Sequence, residues 1–149
     1  MAKQRLDKTN MEELLKRAEV GHLATMGPEG PYLVPLHFLY HKGSIYFHCG
    51  LKGRKLDNIK KDPRVCFQVE DVTAIVPHEL PCSYSTRYAS VLVEGAAQVV
   101  VDEVEKLALL EGLALKYKKG PVPALDPRAA AGTLVVKITP AGFSGKKNS

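Results

Sequence analysis

A small antiparallel β-barrel with peripheral helices is the fold this sequence predicts. Three observations predict it. Extended segments recur about six times along the chain. They are separated mainly by turn-forming residues, with few helical crossovers, which disfavours a doubly wound parallel sheet. The length of 149 residues suits one domain, large enough to bury roughly 70% of its unfolded-chain surface without staples.

The elements follow in order. Residues 1–9 are polar and basic and are expected to form a flexible arm, with the domain proper spanning 10–140. Thr9 and Glu12, or Asn10 and Glu13, have capping-box spacing, and Leu14, Leu15 and Ala18 give the following helix an apolar stripe that ends at Gly21. His22–Met26 reads as a strand, and Gly27-Pro28-Glu29-Gly30 as a turn. Tyr32–Tyr40 is one long extended run, and His41-Lys42-Gly43 turns it into Ser44–His48. Pro35 cannot donate to a ladder, so it implies an edge, a bulge or a place where a ligand takes over.

Gly53–Lys61 has Leu56 and Ile59 on one helical face and stops at Asp62-Pro63. Val65–Val69 is a strand, and residues 71–86 read as a long loop carrying Pro77 and Pro81. Tyr88–Val101 is the longest strand, with a bulge or bend at Gly95. Asp102 caps a second long helix whose period is set by Val104, Leu107, Ala108, Glu111 and Leu115. Residues 126–132 allow one helical turn, Thr133–Ile138 is a last strand, and 141–149 is a basic tail.

Composition narrows the function. No apolar run approaches the ~20 residues that span a bilayer, and no apolar segment follows the charged N-terminus, so a cytoplasmic protein is expected. The three cysteines have no CxxC spacing, which fits free thiols. The net charge of +5 is compatible with an anionic ligand. Aromatic interleaving for base stacking is missing from Lys52 to Arg64, which argues against a nucleic-acid partner. No GxGxxG, GxxxxGK[ST] or GxSxG occurs, and no HxxxH or HExxH spacing supports a metal site. Cys49 and His48 are strand neighbours pointing to opposite faces, so they form no dyad.

Two constellations carry candidate chemistry. Lys52-Gly53-Arg54-Lys55 opens a helix directly after a strand ending at His48, and helix amides with two or three cations make a ready phosphate site. A solvated helix face explains the same residues. Tyr84–Ser90 packs hydroxyls, two phenols and a guanidinium into seven residues; Ser85, Arg87 and Ser90 could contact phosphate or ribityl oxygens, and Tyr88 could stack or hydrogen-bond. The wet side of a half-exposed strand explains that group equally.

Several segments together resemble the split β-barrel flavoproteins related to pyridoxamine 5′-phosphate oxidase, in particular the nitroimidazole resistance type. They are Gly21–Thr25, Gly30–Phe38, Ile45–His48, Gly53–Lys55, Pro63–Phe67, Cys82–Ser85 and Tyr88–Val91 with Gly95. The resemblance covers roughly residues 10–118, and its ordered series is more specific than any one motif. It implies a six-stranded split barrel, a homodimer and FMN at the dimer interface. Val34, Pro35, Leu36 and His37 would lie along the isoalloxazine, Lys52, Arg54 and Lys55 at the phosphate, and Ser85, Tyr88 and Ser90 on the ribityl or phosphate side. His48 falls where such proteins carry a histidine beside the flavin.

The implied reaction is two-electron reduction of a small electron-poor acceptor, with NAD(P)H a candidate donor and His48 a candidate proton source. Pyridoxamine phosphate oxidation itself is disfavoured, because the tail lacks an Arg/His-rich segment. The alternative on the same fold is a flavin- or haem-binding module without turnover, with His48 or His78 as an iron ligand.

Overall fold

The computed structural model describes residues 2–118 and 120–149; Met1, part of the expected arm, lies outside them. The elements are β1 (Lys3–Arg5), α1 (Lys8–Arg17), β2 (Gly21–Gly27), β3 (Gly30–Leu36), β4 (Leu39–His41), β5 (Ser44–Cys49), α2 (Arg54–Lys61) and β6 (Arg64–Val76). They continue with β7 (Ser85–Val99), α3 (Glu103–Tyr117), α4 (Pro127–Ala130) and β8 (Leu134–Asn148). One antiparallel sheet runs β3-β2-β6-β7-β8-β5-β4, with β1 added to β8.

The two ends of that sheet, β3 and β4, are joined by only His37 and Phe38. Leu36 and Leu39 can be no more than about 11 Å apart, so the sheet has to curl until its edges face each other. No ladder joins β3 to β4 among the described residues, and the barrel is split there. Inside it lie Leu23, Phe38, Phe47, Phe67, Val91, Val93, Val136 and Ile138, all fully buried. Leu14 and Leu15 of α1 join this core. Gly21 is needed where it is, because any Cβ would fall on the buried ring of Phe67.

The antiparallel barrel predicted from the sequence is present, with eight strands in place of six. The two extra strands are the three-residue β1 and β4. The polar arm and basic tail are strands that pair with each other, Lys3 opposite Asn148 and Arg5 opposite Lys146. Backbone pairing needs no hydrophobic pattern, so these segments carried no signal for it. The expected loop at 71–86 is mostly hairpin. β6 runs to Val76 and pairs with β7 down to Ser85, past a bulge at Thr73, and leaves only 77–84 as connection.

Three other expectations shift. The run Tyr32–Tyr40 breaks at His37–Phe38, and Asp7 caps α1 by accepting the Asn10 amide at 2.8 Å. In α3 the buried stripe is Lys106, Leu109 and Leu113, while Val104 and Leu115 face solvent. Other features match. Asp102 caps α3 through the Glu105 amide, and the register between β7 and β8 shifts at Glu94/Gly95. Pro35 sits on an edge strand, where its missing N–H costs no ladder bond.

Candidate functional site: a basic helix start beside His48

β5 carries Phe47 and Cys49 into the core and leaves His48 exposed, as strand alternation requires. The chain then runs through exposed Gly50, Leu51 and Lys52 into α2, whose N-cap is Gly53 at φ +150°. A side chain is strained at that φ, and a Cβ at Gly50 or Gly53 would meet nothing within 4 Å. The cap supplies no side-chain acceptor. The first helical bond runs from the Asp57 amide to the Gly53 carbonyl, so the amides of residues 54–56 have no partner within the helix. This open, amide-rich concavity is what a phosphate requires.

The three cations predicted there differ in disposition. Arg54 leans back onto the β2–β3 turn, its guanidinium 4.5 Å from the Tyr32 ring centroid and 3.7 Å from a carboxylate oxygen of Glu29. A cavity of about 480 Å³ lies between that turn and α2, lined by Glu29, Gly53, Arg54 and Lys61 among others. Lys52 and Lys55 make no ion pair among the described residues. Burial pushes the Cys49 thiol up, while the Lys55 charge pulls the other way.

α2 is pinned by a buried bond, the Asn58 side-chain amide donating to the Thr25 hydroxyl at 3.0 Å. Asn58 and Thr25 are 3% and 4% exposed. This bond fixes how the basic helix start is presented.

The strand expected along the isoalloxazine alternates. Val34 and Leu36 pack against the core, whereas Pro35 and His37 face outward. Only the backbone and the outward pair are free to meet a ligand. His37 stacks on Tyr117 of α3, with centroids 4.3 Å apart and planes at 22°.

Ser85, Tyr88 and Ser90 lie elsewhere. Along β8, His48 stands opposite Val135 and Ser90 opposite Lys146, separated by roughly 36 Å of strand. Asn148 holds this second group in place, donating to the Ser85 hydroxyl at 2.9 Å and the Thr86 carbonyl at 2.8 Å. The two constellations thus sit toward opposite ends of β8.

Between them the outer face of β3-β2-β6-β7 is open and mixed, apolar at Met26, Pro31 and Leu33 and polar at His22, Arg64, Gln68, Glu70 and Glu94. Leu33 is 65% and Met26 49% exposed. A groove of about 720 Å³ runs past Met26, Pro31, Cys66 and Pro140, and a second of about 370 Å³ continues past His22, Leu33 and Leu92. The β6–β7 hairpin extends this exposed surface with Val72, Ile75, Leu80 and Tyr84. Sequence periodicity did not single out this face, because a half-buried strand has the same alternation whether its outer side meets water or protein.

No group of three or more His, Cys, Asp or Glu gathers as a metal site among the described residues. The His78 ring accepts the Leu80 amide at 3.1 Å. No described helix is long and apolar enough to cross a membrane.

No curated protein sequence matches the chain. Among solved structures, a protein proposed for 5-nitroimidazole antibiotic resistance from Bacteroides thetaiotaomicron is 25% identical. The match covers 98% of this chain and 89% of that one, with a TM-score of 0.83. An FAD and heme binding protein from Mycobacterium smegmatis is 17% identical over 100% of this chain and 74% of its own, with a TM-score of 0.88. A flavocytochrome from Azotobacter vinelandii is 20% identical over 99% and 69%, with a TM-score of 0.82. The last two likenesses concern the fold alone. A family model described as pyridoxamine 5′-phosphate oxidase matches residues 7–147. Nearly the whole barrel lies within that match, and the chain belongs to the pyridoxamine 5′-phosphate oxidase family.

Proposed function

We propose that this chain is a flavin-dependent oxidoreductase that holds FMN between two copies of itself and delivers two electrons to a small electron-poor acceptor. The observation that carries the reading is the start of α2, without a side-chain cap and with Lys52 and Lys55 at it, a short link after the strand bearing His48. Family membership over residues 7–147 and the flavin-binding proteins among the structural neighbours support it.

Bound FMN would supply reversible hydride transfer, which no side chain can. The protein's part is to bind, orient and protonate. Lys52 and Lys55, with the amides of residues 54–56, would hold the phosphate, and Arg54 would close the turn behind it. The outward edge of Pro35 and His37 would support the ring, because an edge strand leaves backbone groups free for a ligand. His48, exposed near the end of β5, would hold a proton at imidazole nitrogen for the acceptor.

Two copies are needed because Ser85, Tyr88 and Ser90 stand too far along β8 to join His48 in one chain. A second copy laid on the open outer face would bring its own 85–90 segment to the site and cover Leu33 and Met26. Pyridoxamine phosphate oxidation does not follow from the family name, since the tail is consumed in pairing with β1 and β7.

FMN titration of the purified protein, read in the visible spectrum, tests this. One FMN per chain is expected, and Lys55→Ala should weaken binding by about 10- to 100-fold, the loss of one charge-assisted contact. A colourless protein that takes up no FMN overturns the reading, and a Soret band redirects it to haem. With FMN bound and NAD(P)H as donor, His48→Ala should slow reduction of a nitro or quinone acceptor. Unchanged turnover removes the proton from His48.

A further inference from the structure

The split in the barrel poses an accounting problem. His37 and Phe38 belong to no strand, so neither Phe38 backbone group has a ladder partner, yet Phe38 is fully buried. The last turn of α3 supplies the partners. The Phe38 amide donates to the Tyr117 hydroxyl at 2.9 Å, and the Phe38 carbonyl accepts from Lys116 Nζ at 2.9 Å. The Tyr117 hydroxyl lies 2.8 Å from the Glu19 carbonyl and 3.0 Å from that of Phe38, so its one proton serves either. Lys116 Nζ also sits 3.6 Å from the Phe38 ring centroid, and His37 stacks on Tyr117. The Phe38 ring in turn meets Phe67 edge-on at 4.9 Å.

From this geometry we infer that Lys116 and Tyr117 are positioning residues that set the His37–Phe38 link, and through it the outward edge of β3, for the flavin. The inference rests on the reading that this edge supports the isoalloxazine ring. Two side chains of one helix turn do the work that hydrogen bonds to a neighbouring strand do elsewhere in the sheet. The link is thereby held by the last turn of α3. Glu19, whose carbonyl shares the Tyr117 proton, ties the entry of β2 to the same point. Neither residue touches the reacting atoms; both act through the backbone of residues 37 and 38.

The test uses the full-length protein in two measurements. Amide hydrogen exchange without flavin reads the clamp itself: in Tyr117→Phe the Phe38 amide should exchange at least tenfold faster, with most core amides unchanged. FMN titration reads the positioning: Tyr117→Phe and Lys116→Met should each weaken FMN binding about fivefold or more and shift the visible flavin band. Lys116→Arg, which keeps a donor, should restore most of the loss. Unchanged exchange at Phe38 overturns the clamp. Faster exchange with unaltered FMN affinity and band position overturns the positioning role and leaves a purely structural contact. Should the wild-type protein take up no FMN, the flavin reading fails and takes the positioning role with it, while the exchange data still decide the clamp. If Tyr117→Phe does not fold, Lys116→Met and Lys116→Arg carry the same comparison.

Discussion

Besides the burial of Leu56 and Ile59, α2 is attached to the barrel by a buried polar pair, and removing it one partner at a time has a calculable consequence. Thr25→Val keeps the shape and deletes the acceptor, leaving the Asn58 amide buried with its partner gone. Asn58→Leu deletes the donor and leaves the Thr25 hydroxyl. With both residues under 5% exposed, each change should cost about 1–3 kcal/mol, the desolvation penalty of a stranded polar group. The double variant strands neither group, so its cost should fall short of the sum by about 1 kcal/mol or more. Urea unfolding at fixed protein concentration measures this. With a slope of about 2 kcal/mol/M, each single change lowers the midpoint by roughly 0.5–1.5 M. FMN affinity should fall in the single variants too, because α2 presents Lys52 and Lys55. Strictly additive singles, or singles without effect, would refute the idea that this bond holds the basic helix in place.

Three further outcomes are expected. Gly21→Ala drives a methyl into the Phe67 ring, which is fully enclosed, and should lower Tm by about 5 °C or more in a thermal melt. Leu33→Asp places a charge on the exposed outer face; sedimentation velocity should show a dimer become a monomer with unchanged circular dichroism and lost FMN, whereas a stable dimer would rule this face out as the interface. Partial burial lowers Lys116 to about 8 from its usual 10.5, with the Glu19 charge working the other way. The unfolded chain then binds more protons than the folded one between pH 8 and 10.5, so this group's contribution to stability rises with pH across that window. Partial exposure screens the effect, and Tyr117 and the two raised thiols oppose it toward the alkaline end. The Tm gain from pH 8 to 9.5 should therefore be larger in wild type than in Lys116→Met.

Much of the barrel was legible in the sequence because its core strands alternate. Leu23 and Thr25, or Val65, Phe67 and Val69, point inward on a period of two, and Gly-Pro turns separate them. The segments that escaped notice are those whose pairing owes nothing to that period. β1, the far end of β8 and the outer half of the β6–β7 hairpin are exposed strands held by backbone bonds, and their polar or irregular composition reads as arm, tail and loop. In α3 the apolar count favoured Leu115 over Leu113, because a helix with apolar residues on several faces leaves its phase to whatever packs against it. The basic cluster at Lys52–Lys55 was visible as composition. That Arg54 is spent on Glu29 and Tyr32 was not, since those contacts depend on the turn folding back across α2.

The chain by itself therefore determined the fold class, the basic helix start after His48 and the break that Pro35 makes in ladder pairing, all of which follow from local periodicity, caps and the missing proline N–H. Tertiary structure alone decided which charges remain free, that Val34 and Leu36 turn inward, and that His48 and Ser90 lie far apart along β8. It also decided that the barrel's split is bridged by Lys116 and Tyr117, which are 78 and 79 residues from Phe38 in sequence. Such contacts arise from closure of the sheet, a property of the whole path β3 to β4, and no window of sequence short enough to show a period contains both partners.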